Sequence, residues 1–265
     1  MSGSIGFIGC GNMAQAIIGG ILRNDEIPKI YVYDVDKEKY KLFNKEYITC
    51  LNDIDSVIKN SDYVFLAVKP QHIQGVFETI TTDLNKKVIV SILAGVSSAY
   101  IRELAKIQDL RVIRIMPNTP LLVGEGASAL CRTDNVSDSD FSYIYSIFGN
   151  SGVAAQISES QMNEIINING SSPAYVFLFT MAVMKYAEKK GIDYNTALNL
   201  FCQTLIGSAK MMLESGKTPE ELKVMVTSPG GTTLAALNVF EQRNFVDIIL
   251  EAFEACVKRA EELGK

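Results

Sequence analysis

Residues 6–22 read "GFIGCGNMAQAIIGGIL": the end of an apolar strand, two glycines and the start of an apolar helix, with nothing between them. Gly9, Gly11 and Ala14 fit G-x-G-x-x-G/A, the pattern of a strand that turns directly into a helix over a pyrophosphate. Each position has a steric reason. Gly9 permits the tight turn, Gly11 lets the backbone approach a phosphate, and Ala14 lets the helix pack close to the strand. The phosphates would face unpaired N–H groups at the positive end of the helix dipole. Glycine-rich turns also occur as plain bends, so the flanking pattern has to support the assignment.

It does. Short runs rich in Val, Ile, Phe and Tyr recur at Ser4–Ile8, Lys29–Tyr33, Tyr63–Val68, Val88–Leu93, Arg111–Met116 and Ala127–Cys131. The first five are spaced widely enough for crossover helices, which predicts a doubly wound, mostly parallel sheet. Both faces of such a sheet are covered, so its strands read as apolar runs and not as strict alternation. A second strand ends in "YVYDVD" (31–36), and its Asp34 lies roughly 20 residues after the turn, where the ribose-binding acid of this pattern belongs. A carboxylate there accepts a bond from a free 2′-hydroxyl and repels a 2′-phosphate. No arginine follows closely, and only Lys37 and Lys39 could compensate. Charge alone therefore favours NADH. The local alternative makes Asp34 the N-cap of a helix beginning near Lys37.

Past Ala155 the rhythm becomes helical. Leu198, Phe201, Leu205, Ala209 and Met212 recur at spacings of three and four, as do Phe245, Ile249, Ala252, Phe253 and Cys256. Gly191 and Gly216 lie where helices stop, and Thr218-Pro219 reads as an N-cap followed by a first-turn proline. The expected fold class is α/β followed by all-α: a Rossmann-like dinucleotide-binding domain over residues 1–157, then a helical domain over 158–265.

Composition narrows the function. The 265-residue chain is 48% hydrophobic and 21% charged with net charge −5, which supports a sizeable core and shows no basic nucleic-acid footprint. Five scattered cysteines, none in a CxxC pair, suggest neither a zinc site nor a disulfide framework, and point to a reducing cytoplasm. Cys10 reads as a small buried filler. No signal peptide is visible. The apolar run "AYVFLFTMAVM" (174–184) is too short to span a membrane, which takes roughly 20 residues. A helix apolar all round belongs at a subunit or domain interface.

Five blocks then occur in order: "GCGNMAQAI" (9–17), "LAVKPQHI" (66–73), "RIMPNTPLLVGEGASAL" (114–130), "NGSSPAYVF" (169–177) and "SPGGTTLAAL" (228–237). Together they resemble pyrroline-5-carboxylate reductase, the last enzyme of proline biosynthesis, over essentially the whole chain. One departure is Ser172, where the family usually has a second glycine. The resemblance implies a helical C-terminal domain that dimerises and binds substrate, with dimers that assemble further into decamers. It also implies NAD(P)H, more commonly NADPH, which opposes the charge argument at Asp34, so NADPH and NADH both stay open. By motif it carries further cofactor contacts to Asn12 and Met13 in the turn, Asn52 on the adenosine side, and Ala67, Val68, Lys69 and Pro70 at a strand end. Ala94, Gly95, Asn118 and Thr119 are carried to the nicotinamide side.

The implied substrate is a cyclic imine with one carboxylate, whose reduction rests on positioning and electrostatics. Ser228, Gly230, Gly231 and Thr232 would form a helix start whose N–H groups and hydroxyls bind the carboxylate. By resemblance Thr233 contacts the ring nitrogen and is the expected catalytic residue. The competing local account is a Ser/Thr-capped helix start behind Pro229. His72, the only histidine, reads as a surface or cofactor-edge residue. There is no Ser/His/Asp set and no metal-ligand cluster. A β-hydroxyacid dehydrogenase would need a lysine just after Gly170, and Ser171–Phe179 has none. A non-catalytic NAD(P)-binding scaffold would keep the glycine turn without needing "SPGGTT".

Overall fold

The structure, a computed structural model, describes residues 3–24, 26–43 and 46–264. Strand β1 (Ile5–Ile8) feeds α1 (Asn12–Ile21), and β2 (Ile30–Tyr33) follows. A 3-10 turn (Lys37–Leu42), β3 (Ile48–Cys50), α2 (Ile54–Asn60), β4 (Tyr63–Leu66), α3 (Ile73–Thr79), β5 (Val88–Ser91), α4 (Ser98–Ala105) and β6 (Arg111–Met116) continue the alternation. Then come β7 (Gly126–Arg132), α5 (Asp138–Gly149) and β8 (Gly152–Gln156). The eight strands lie in the order β3-β2-β1-β4-β5-β6-β7-β8, and only the β6–β7 pairing is antiparallel.

Strand residues alternate between two cores. Ile5 and Phe7 of β1, Tyr63 and Phe65 of β4, and Val88 and Val90 of β5 join α1 and α5 on one face. Ile8, Val64, Leu66 and Ile89 join α2, α3 and α4 on the other. This double burial is why the strands read as continuous apolar runs. Phe7 and Phe65, direct neighbours across the β1–β4 pairing, stack with centroids 4.6 Å apart.

Two strands escaped the sequence pattern. Strand β3 is three residues long at one edge, and β8 at the other edge is largely exposed, so neither needs an apolar run. The β2–β3 crossover holds a 3-10 turn where a helix was expected. Asp36, not Asp34, caps that turn by accepting the Glu38 N–H at 3.1 Å. Asp34 is already committed elsewhere, as described below.

The remaining elements are a π-helical turn (Ile166–Gly170), α6 (Ser172–Lys189), α7 (Tyr194–Glu214), α8 (Pro219–Met225), α9 (Thr232–Gln242) and α10 (Phe245–Leu263). The chain divides into two compact units, Met1–Pro173 with Ala255–Lys265, and Ala174–Glu254. In the second unit Gly191 and Gly216 take positive φ just past α6 and α7. Thr218 and Glu221 form a reciprocal capping box at the start of α8. Ring pairs Tyr175–Phe253, Phe179–Phe201 and Phe240–Phe245 tie its helices together. In the single chain this unit leaves large apolar side chains exposed, Phe177 at 61% and Leu178 at 67% among them. No helix of the described residues is long and apolar enough to cross a membrane.

Candidate active site

The glycine turn has the shape its sequence predicts. Gly9 sits at φ +100°, and a Cβ there would lie 2.5 Å from the Ala67 carbonyl oxygen. Its N–H donates to Tyr33 O at 2.8 Å, so the turn is hung on the neighbouring strand end. Gln15 braces it from the helix side, donating to Cys10 O at 2.9 Å. Gly11 is the N-cap of α1 with no side-chain cap bond, and a Cβ on it would meet nothing within 4 Å. The first amides of α1, Asn12 and Met13 included, thus open onto a space that suits a pyrophosphate. Cys10 is fully buried, and burial together with the adjacent Asp34 pushes its thiol up to about 12, which leaves it inert.

Asp34 is 6% exposed. Its Oδ2 accepts the Cys10 N–H at 2.7 Å and the Lys39 ammonium at 2.9 Å, and its Oδ1 accepts the Asp36 N–H at 2.8 Å. Burial alone would raise its pKa, but these bonds and the Lys39 charge outweigh it and hold the carboxyl below its usual value. Tyr40 closes the corner, its hydroxyl donating to Leu51 O at 2.9 Å while accepting from Lys37 Nζ at 2.9 Å.

The other expected cofactor residues follow successive strands. Asn52 is exposed between β3 and α2, and Ala67 and Val68 directly follow β4. Lys69 is the N-cap of a 3-10 turn that begins at Pro70 and ends at the exposed His72. Ala94 and Gly95 follow β5, and Gly95 takes φ +80° with the Ala260 carbonyl where its Cβ would be. Asn118 and Thr119 follow β6. With Gly9 after β1 and Asp34 after β2, every strand from β1 to β6 delivers an expected contact at its carboxyl end. Ligands of parallel α/β sheets bind at that edge.

Asn118 is buried, and both ends of its amide are engaged: Nδ2 donates to Asn169 O at 3.2 Å and Oδ1 accepts the Ala127 N–H at 2.9 Å. Asn169 answers with Nδ2 bonds to Met116 O at 2.7 Å and Ala127 O at 3.0 Å. The "MPNTP" and "NGSSP" blocks are thereby brought together. The Ser172 hydroxyl donates to Asn167 O across the π-helical turn, so the departure from glycine is built into the entry of α6.

In the second unit "SPGGTT" forms the entry to α9. Gly230 takes φ +71° and Gly231 is the N-cap, with no side-chain cap bond. The Ser/Thr-capped alternative is therefore not what forms. Gly231 N–H closes the turn on Ser228 O at 3.0 Å, and a Cβ on Gly231 would lie 2.5 Å from Ser228 Oγ. Thr232 and Thr233 open the helix, both exposed in the single chain.

Residues 159–263 match the family described as pyrroline-5-carboxylate reductase dimerisation, and residues 4–95 match NADP oxidoreductase, coenzyme F420-dependent. The chain is 38% identical to pyrroline-5-carboxylate reductase of Escherichia coli (strain K12), over 100% of both chains. The chain belongs to the pyrroline-5-carboxylate reductase family. Solved reductases agree. The NADP-bound Plasmodium falciparum enzyme superposes with a TM-score of 0.91 at 29% identity over 99% of this chain and 98% of its own. The Coxiella burnetii enzyme gives 0.85 at 34% over 100% of each. Residues 159–263 of this reductase-family chain thus carry a dimerisation domain, and residues 4–95 an NADP-type oxidoreductase fold.

Sequence reasoning missed three features of this reductase fold. Asn169 lies within "NGSSPAYVF", and no local pattern marks its clasp on the end of β6. The buried Arg114 of β6 pairs with Glu159 at 2.9 Å, and the same carboxylate oxygen accepts the Ser98 N–H at 2.7 Å. Gly264 packs backbone to backbone on Gly95: a Cβ on Gly264 would lie 2.1 Å from Gly95 O. A buried charge in an apolar strand was the available signal for Arg114; nothing local marked Gly264.

Proposed function

We propose that this chain reduces 1-pyrroline-5-carboxylate to L-proline, the closing step of proline biosynthesis, in a reducing cytoplasm. Full-length similarity to enzymes of that name supports the substrate. The alignment of expected contacts along the carboxyl edge of β1 to β6 supports the cofactor, and is the observation that carries the reading. Gly9 and Gly11 with the first amides of α1 hold the pyrophosphate, Asp34 and Asn52 flank the adenosine, and Ala67 to Pro70 line the middle. Ala94, Gly95, Asn118 and Thr119 take the nicotinamide side. When bound, the nicotinamide supplies a hydride to the imine carbon, whose C=N pair moves to nitrogen and takes a proton.

The chain's own residues bind and orient. The uncapped start of α9 offers main-chain N–H groups and the Ser228 and Thr232 hydroxyls to the substrate carboxylate, with Gly230 and Gly231 keeping the approach open. Thr233 places its hydroxyl at the ring nitrogen and hands on the proton. Positioning of this kind supplies most of the rate enhancement when the imine is already protonated. The assembly is a homodimer through the helical domain, with five dimers forming a decamer.

Both cofactors serve, and NADH supports substantial turnover because Asp34 stands at the ribose position. The test supplies pyrroline-5-carboxylate with NADH or NADPH to the purified protein and follows loss of nicotinamide absorbance. No turnover with either overturns the enzyme reading in favour of a binding scaffold. A kcat/KM for NADPH about a hundredfold above that for NADH, roughly 2.7 kcal/mol, removes the argument from Asp34.

A further inference from the structure

We infer that Lys39 is the cofactor-selecting residue of this protein: its ammonium, anchored on Asp34, receives the 2′-phosphate and lets a chain with an acid at the ribose position accept NADPH. The inference rests on the dinucleotide reading of the glycine turn.

A bare carboxylate at the end of β2 would repel a 2′-phosphate. The Asp34 carboxylate is not bare. Three donors occupy it, Cys10 N–H and Asp36 N–H from the backbone and Lys39 Nζ from the side chain. The exposures of the pair are unequal: the Asp34 side chain is 7% exposed and that of Lys39 34%. Of the two, the ammonium is therefore the member that faces solvent, beside the exposed Asp36 carboxylate, and the Asp34 carboxylate behind it is paired at 2.9 Å. An ammonium has three donors, and Asp34 holds one of those of Lys39. Two remain to meet phosphate oxygens.

Lys37, the other basic group nearby, is engaged differently. Its Nζ donates to Tyr40 Oη and lies 4.3 Å from the Tyr33 ring centroid and 4.8 Å from that of Tyr40. These aromatic faces hold its charge in a cation–π contact. Tyr40 is itself fastened to Leu51 O, so the Lys37 ammonium is held at the Tyr40 hydroxyl and not on the Asp34 carboxylate. Among the described residues, Lys39 alone forms an ion pair with Asp34.

The same bridge explains how NADH can be used. A ribose 2′-hydroxyl needs an acceptor, and displacement of the flexible lysine stem exposes Asp34 Oδ2 to it. The two cofactors thus draw on opposite members of one ion pair. Without Lys39, Asp34 faces the phosphate unscreened, and selectivity moves to NADH.

Calorimetric titration with adenosine 2′,5′-bisphosphate and with ADP measures this without turnover. Lys39→Met should weaken the 2′,5′-bisphosphate at least tenfold relative to ADP, and Lys39→Arg should restore most of the loss. The kcat/KM ratio of NADPH to NADH should fall by the same factor. Equal weakening of both nucleotides, no weakening, or a larger effect from Lys37→Met overturns the assignment. Failure of the wild-type protein to bind either nucleotide overturns it together with the dinucleotide reading. Loss of pyrroline-5-carboxylate turnover alone would strike the proposed reaction and leave this inference standing.

Discussion

The side chain of Asn118 donates to the main chain of Asn169 at 3.2 Å, while the Asn169 side chain donates back to Met116 O at 2.7 Å. This reciprocal clasp ties the end of β6 to the π-helical turn that leads into α6. It holds the loop bearing Asn118 and Thr119 in one position at the carboxyl edge of the sheet.

Asn169→Ala removes the donor from two carbonyl oxygens, Met116 O and Ala127 O, in a buried setting. The expected loss is about 1–3 kcal/mol of stability, read as a lower urea midpoint. The KM for NAD(P)H should rise with it. A variant as stable as the wild type would show that the clasp is idle.

The two glycines of the turn separate fold from binding. Gly9→Ala must adopt φ +100° against the Ala67 carbonyl, and should cost about 2 kcal/mol or more. Gly11→Ala has open space around it and an ordinary backbone angle, so its stability cost should stay under about 1 kcal/mol. Its Kd for NAD(P)H should nevertheless rise at least tenfold. An unchanged Kd would mean that no pyrophosphate approaches this backbone.

Thr233→Val should lower kcat/KM about tenfold to a hundredfold, because a hydroxyl bonded to a charged group contributes about 1.5–3 kcal/mol. Binding of NAD(P)H should change little. If kcat/KM is unaffected, Thr233 has no part in the reaction.

Asp55 supplies a pH signature of the sheet domain. Partial burial raises its pKa, but hydrogen bonds from the Thr81 hydroxyl and from the Thr81 and Thr82 amides outweigh it and bring it from 3.8 to about 2. A depressed carboxyl contributes stability above its unfolded pKa and loses it as pH falls through the folded value. The stability gap between wild type and Asp55→Ala should therefore be full above about pH 5 and close towards pH 2. A gap that stays constant down to pH 2 in urea titrations would contradict this.

Much of the architecture was legible because its causes are local. Buried parallel strands need apolar runs, a phosphate turn needs glycines at fixed spacing, and helix ends need Gly191, Gly216 and the Thr218-Pro219 start. Strands β3 and β8 were not legible, since short or exposed edge strands carry no such pattern. The Asp34 cap failed for a different reason. A carboxylate beside a turn can cap it or bond elsewhere, and only the fold brought the Cys10 amide within 2.7 Å.

The sequence by itself determined the two-part order of α/β then α, the dinucleotide turn and the blocks that mark the reductase family. Those features depend on residues close together in the chain, where side-chain size and backbone freedom act directly. Only the tertiary structure decided that Lys39 screens Asp34, that Asn118 and Asn169 interlock, and that Gly95 meets Gly264. Lys39 reaches Asp34 because the chain after β2 takes a 3-10 turn. The other two pairs join groups far apart in the chain, whose separation in space depends on how sheet and helices pack. Hydrogen bonds and close backbone contacts act over about 3 Å, a distance that no local pattern encodes.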